Sequence, residues 1–172
     1  MLERRTATFT HDGGRIGGYA AVYGEPSLPI REPGLNGGKP FTERVQAGAF
    51  DASLQNNVQL LVQHDPARLV ANTKSGLLKL NSDERGLAFS VELPDTTIAR
   101  DVRALVEAGV MREMSFGFYV RSDRWSGSDR LLTQVDLREV SIVEAGAYPQ
   151  TSAESRTLCR LASALRLRLR TV

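Results

Sequence analysis

The sequence holds a single cysteine, Cys159, so no internal disulfide can form. A disulfide-stapled secreted scaffold is excluded, and a reducing compartment is expected. No apolar run approaches the roughly 18–20 residues of a membrane-spanning helix, and Met1-Leu2-Glu3-Arg4-Arg5 lacks the apolar stretch of a secretory signal. There are only two histidines, His11 and His64, with no His-Glu-x-x-His and no Cys-x-x-Cys. No metal site and no cofactor are therefore expected. The phosphate-cradling Gly-x-x-x-x-Gly-Lys-[Ser/Thr] loop is also missing, which leaves nucleotide hydrolysis unsupported. Aromatic residues make up 6% of the chain, too few to suggest a base-stacking platform.

What is present fits one domain with a tail. The chain has 172 residues, of which 41% are hydrophobic, enough to build a core and bury roughly 70% of the unfolded surface. Charge divides it unevenly. Residues 155–172 carry five arginines and no acid, so the rest of the chain carries −3 against a net +2. We therefore expect a domain over residues 1–150 and a basic tail over residues 151–172. Polyanions, nucleic acid included, are expected to meet only the tail. The tail can be helical, but Leu165-Arg166-Leu167-Arg168-Leu169-Arg170 alternates with period two, which conflicts with a single helix.

The domain reads mainly as strands. Residues 4–10 and 15–23 flank His11-Asp12-Gly13-Gly14, a hairpin turn. The Gly- and Pro-rich residues 24–40 form a long surface loop, of which residues 25–39 are either a flap over a substrate or a plain surface excursion. Further strands are expected over residues 41–45, 58–63, 69–72, 76–81, 86–93, 114–122 and 130–143, with a short helical turn ending near Leu54. One helix stands out. Thr96 or Thr97 caps it, Ile98, Val102, Leu105 and Val106 recur at helical spacing, Arg103 and Glu107 form an i,i+4 pair, and Gly109 closes it. Many short strands with few helices predict a mainly β, α+β fold: a barrel or sandwich with helices outside.

Three segments can carry chemistry. His64 ends an apolar strand, and alternation places it on the face of Val58, Leu60 and Val62, either as a satisfied core residue or as a positioned base. In Met114-Ser115-Phe116-Gly117-Phe118-Tyr119-Val120, the residues Phe116, Phe118 and Val120 share the core face. Ser115, Gly117 and Tyr119 share the other, with Gly117 leaving room for a substrate backbone. In Leu137-Arg138-Glu139-Val140-Ser141-Ile142-Val143, Glu139 and Ser141 share a face opposite Val140 and Ile142. A carboxylate beside apolar side chains needs a partner, either an arginine or an imidazole N–H. His11 reads as an exposed turn residue, and Cys159 as incidental.

Together, Gln63-His64-Asp65, Met114-Ser115-Phe116-Gly117-Phe118 and the segment at residues 137–143 resemble, in order and spacing, the tailed-phage prohead proteases. These are capsid-maturation serine proteases related to herpesvirus assemblin. Tyr19-Ala20-Ala21-Val22-Tyr23, Val45-Gln46-Ala47-Gly48-Ala49-Phe50, Gly86-Leu87 and Ala145-Gly146-Ala147-Tyr148-Pro149 extend the likeness over about residues 6–149. The resemblance implies an assemblin-like, closed or partly open β-barrel surrounded by helices. It implies Ser115 as nucleophile, His64 as general base and Glu139 as the group orienting the imidazole. Asp65 and Asp136 are rivals for that third place, and Ser141 is a hydroxyl behind it. No motif assigns the oxyanion hole. The implied partners are the major capsid protein precursor and its scaffold segment, the portal protein, and a second copy of the chain, inside the assembling prohead in the host cytoplasm. The alternative is a non-catalytic scaffold or shell-binding module of the same fold, and a nucleic-acid-binding barrel ranks last.

Overall fold

The computed structural model describes residues 9–12, as backbone, and residues 15–144. Strand accounts for 54% of the structure, far above the usual quarter or less. The elements run β1 (Phe9–Asp12), β2 (Arg15–Val22), β3 (Thr42–Val45), β4 (Gln59–Val62), β5 (Asp65–Asn72), β6 (Leu78–Ser82), β7 (Gly86–Glu92), α1 (Thr97–Glu107), β8 (Met111–Ser126) and β9 (Asp129–Glu144). Short 3-10 turns at Asn36–Gly38 and Asp51–Ser53 interrupt the connections.

The strands form two sheets. One is antiparallel throughout, in the order β1-β2-β7-β6. The other is organised around β9. Along one edge β9 pairs antiparallel with β8. Along its opposite edge it pairs in parallel first with β3, at residues 129–132, and then with β4, at residues 139–142. β5 completes this sheet beside β4. Neither sheet closes on itself. The mainly β expectation holds, but the described strands do not close into a barrel, and α1 is the one α-helix among the described residues. Closure depends on pairing between strands far apart in the chain, which local patterning does not specify.

Both sheets contribute to one core. Ile16, Leu78, Leu87, Phe89 and Val91 come from the first sheet, and Leu60, Val62, Leu132, Leu137, Val140 and Ile142 from the second. Phe50 is fully buried between Tyr23 and Phe116, with ring centroids 6.1 and 5.4 Å away, the second contact edge-on. The helix is as expected: Thr96 caps it by accepting from the Ala99 N–H, and Ala99, Val102 and Val106 face the core. The Arg103–Glu107 pair does not form; Arg103 Nε is buried without a hydrogen-bond partner. Its neighbours on the helix, Ala99, Val102 and Val106, lie on the same buried face, which draws the stem inward.

Several boundaries move. β8 and β9 run longer than predicted and leave only Gly127 and Ser128 between them, so Trp125 and Ser126 are strand residues. His11 and Asp12, expected in a turn, pair with Ile16 and Arg15 within the β1–β2 ladder. The tail at residues 151–172, with Cys159, and Ala145-Gly146-Ala147-Tyr148-Pro149 lie outside the described residues.

Candidate active site

The sheet around β9 builds a site on the face away from Val140 and Ile142. Side chains alternate along strands, and residues paired directly across a ladder share a face. Ser115 pairs with Ser141, and Gly117 with Glu139. On the far edge of β9, Leu61 pairs with Ser141 and Gln59 with Glu139. Ser115, Gly117, Glu139 and Ser141 therefore line one face, while Val140 and Ile142, both fully buried, face the core.

His64 reaches this face by leaving its strand. β4 ends at Val62, which pairs with Asp65 of β5. Gln63 and His64 form the two-residue connection, and both have left-handed backbones, φ 54° and 58°. Two positive φ values at the centre of a two-residue hairpin are the signature of a turn that favours Asn-Gly. Neither residue is of that kind, and each left-handed L-residue costs about 1–2 kcal/mol. The turn is tied to the sheet, since the Gln63 N–H donates to the Ile142 carbonyl at 3.0 Å. His64 thus does not continue the face of Leu60 and Val62, as strand alternation predicts. The turn carries the ring to the opposite side, over Glu139.

There His64 Nδ1 lies 2.7 Å from Glu139 Oε1, with side-chain exposures of 15% and 10%. An ionised carboxylate only accepts, so this contact puts the imidazole proton on Nδ1 and leaves Nε2 as the basic nitrogen. The other carboxylate oxygen, Oε2, accepts from Ser141 Oγ at 2.6 Å, and Ser141 is fully buried. The carboxylate lies across β8. A Cβ on residue 117 would stand 2.2 Å from Glu139 Oε1 and 2.9 Å from its Cδ. The space at Gly117 is therefore filled by Glu139, not left open for a substrate backbone. Only the β8–β9 register reveals this, and no pattern within either segment signals it.

Ser115 is half-buried on the same face, two residues from Gly117 along β8. No hydrogen bond joins it to His64 among the described residues. Such contacts are often loose before substrate binds. The rivals for the third position are engaged elsewhere. Asp65 Oδ1 accepts from the Ala67 N–H at 2.9 Å. Asp136 accepts from Arg121 at 2.5 Å, from Arg138 at 2.9 Å and from Asn56 at 2.9 Å. Of the three acids weighed from sequence, Glu139 is the one that meets the imidazole.

This grouping has the ingredients of acyl transfer through a serine: a hydroxyl, an imidazole and a carboxylate on the imidazole's far nitrogen. No described helix is long and apolar enough to cross a membrane. No curated protein and no solved structure matches the chain. The sequence pattern of the caudovirus prohead serine proteases does match, over residues 1–163, and with nearly the whole chain covered the protein belongs to that family of serine peptidases.

Proposed function

We propose that this chain is the endopeptidase that cuts scaffold segments from capsid precursors as a phage prohead matures, with Ser115 as nucleophile, His64 as general base and Glu139 as the residue that orients it. Ser115 Oγ adds to the scissile carbonyl as His64 Nε2 takes its proton. The imidazolium that results is stabilised by Glu139, and it returns the proton to the leaving amine. Water then repeats the sequence on the acyl-enzyme, releasing the second product and restoring the serine. The observation that carries this reading is the 2.7 Å contact between His64 Nδ1 and Glu139 Oε1, on the face that Ser115 shares through its pairing with Ser141.

Its substrates are the major capsid protein precursor with its scaffold segment and the chain itself, with the portal protein a further candidate. The setting is the interior of the assembling shell in the host cytoplasm. The test follows the intact mass of concentrated protein over time beside Ser115→Ala prepared identically, each also treated with a serine-directed phosphonate. Loss of a defined fragment and phosphonate labelling in the parent chain alone are expected. Cleavage or labelling that persists in folded Ser115→Ala overturns the assignment of the nucleophile. An inert parent chain inside assembled proheads favours the non-catalytic shell-binding alternative.

A further inference from the structure

We infer that Ser141 and Gly117 are positioning residues of this site: a buried hydroxyl and a missing side chain together hold the Glu139 carboxylate where Oε1 meets His64 Nδ1. The inference deepens the protease reading and rests on it for any consequence in catalysis, but the geometry it concerns can be measured separately.

Glutamate has three side-chain torsions, and the last is broad and roughly two-fold. One contact to an imidazole does not fix such a chain. The second anchor is Ser141 Oγ, which donates to Oε2 at 2.6 Å. Ser141 is fully buried on the central strand of its sheet, paired with Ser115 on one side and Leu61 on the other. A hydroxyl buried to that degree requires a partner, and its partner here is the carboxylate. Each carboxylate oxygen is thereby assigned, Oε2 to the hydroxyl and Oε1 to the ring.

The third constraint is steric. The carboxylate lies over β8 at the residue paired with Glu139, and any Cβ there would come within 2.2 Å of Oε1. The next nearest atoms, Cδ at 2.9 Å and Cγ at 3.0 Å, belong to the same side chain, so the whole end of Glu139 would have to move. Glycine at 117 is a requirement of the carboxylate's position, and not of the backbone, since Gly117 is absent from the residues with positive φ.

The test reads the imidazole directly. In a His11→Asn background His64 is the one remaining histidine, and its ring nitrogen shifts report which nitrogen holds the proton. The parent chain is expected to show the Nδ1–H tautomer at neutral pH. Ser141→Ala and Gly117→Ala are expected to shift the ring toward the Nε2–H tautomer that free imidazole side chains prefer. Both are also expected to slow phosphonate labelling of Ser115 by about 10–100-fold, the worth of a hydrogen bond to a charged group. Ser141→Thr, which keeps the hydroxyl, is expected to restore tautomer and rate. Should Gly117→Ala not fold, the Ser141 pair decides. An unchanged tautomer and labelling rate in folded Ser141→Ala overturn the inference. A parent chain that shows the Nδ1–H tautomer yet never labels overturns the protease reading and leaves the positioning result standing.

Discussion

The two ends of β9 each bury a charged side chain between β8 and a parallel neighbour, and they answer the charge by opposite means. Near β3, Arg130 is 5% exposed and meets two carboxylates, Glu43 of β3 at 3.3 Å and Asp123 of β8 at 2.6 Å. Its guanidinium also stands 5.5 Å from the Trp125 ring centroid. Near β4, Glu139 is 8% exposed, and its ion-pair partner among the described residues is the imidazole of His64, with Ser141 on the other oxygen. The guanidinium cluster is charged at all times and can only hold strands together. The imidazole carries charge only when it gains a second proton. Glu139 thus meets a ring nitrogen and a hydroxyl, and on the proposed mechanism an imidazolium that forms during reaction finds its counter-charge already in place.

The contrast breaks most sharply at Glu139. Glu139→Gln keeps the shape but offers the ring an amide in place of a carboxylate, which removes the charge and unsettles the tautomer. On the serine-triad analogy, cleavage should fall by about 10⁴-fold while the urea midpoint stays close to that of the parent chain. Self-cleavage rate and denaturation, measured on one preparation, check both halves. At the other end the balance reverses. Arg130→Met removes the buried guanidinium that joins Glu43 to Asp123, and removing one partner of a buried pair costs about 3–5 kcal/mol. The expected result is a large drop in the urea midpoint. If Glu139→Gln proves the more destabilising and Arg130→Met the more damaging to turnover of folded protein, the division of labour along β9 is wrong.

A half-buried turn carboxylate sharpens the comparison, with the smallest effect. Backbone N–H donation from Gly86, then the Tyr19 hydroxyl, holds the Asp83 carboxyl below its usual range. Its Oδ1 accepts from the Arg85 and Gly86 N–H groups at 2.9 and 3.0 Å, and its Oδ2 from Tyr19 at 2.9 Å. A lowered folded-state value means the stabilisation is present above the ordinary carboxyl range near pH 4 and is lost as pH falls below it. Asp83→Asn should therefore flatten the loss of stability below about pH 4 and change little at neutral pH, as read from acid-unfolding curves. An unchanged acid limb would show that this turn is not among the groups that drive it.

Features carried by a single segment were legible in the sequence. The helix is visible because its cap and its apolar spacing sit within one stretch, and the shared face of Glu139 and Ser141 follows from alternation alone. Features that depend on pairing were not. Strand alternation put His64 on the wrong face because the β4–β5 turn uses Gln63-His64 in left-handed geometry, where the usual signal is Asn-Gly. Gly117 looked like space for a substrate until the β8–β9 register filled it with Glu139. Whether the expected barrel would be closed or partly open was not legible for the same reason, since sheet order is written in contacts between distant strands; the described strands do not close.

The left-handed turn and the β8–β9 register have a consequence for timing. His64 and Glu139 stand 75 positions apart, and Glu139 and Ser141 belong to the last strand described, which enters the sheet as its central member. A chain still emerging from the ribosome holds its histidine long before it holds the carboxylate proposed to aim it. Glu139 cannot meet His64 until β9 has been synthesised and inserted between β8 and β4, so synthesis itself delays assembly of the proposed site.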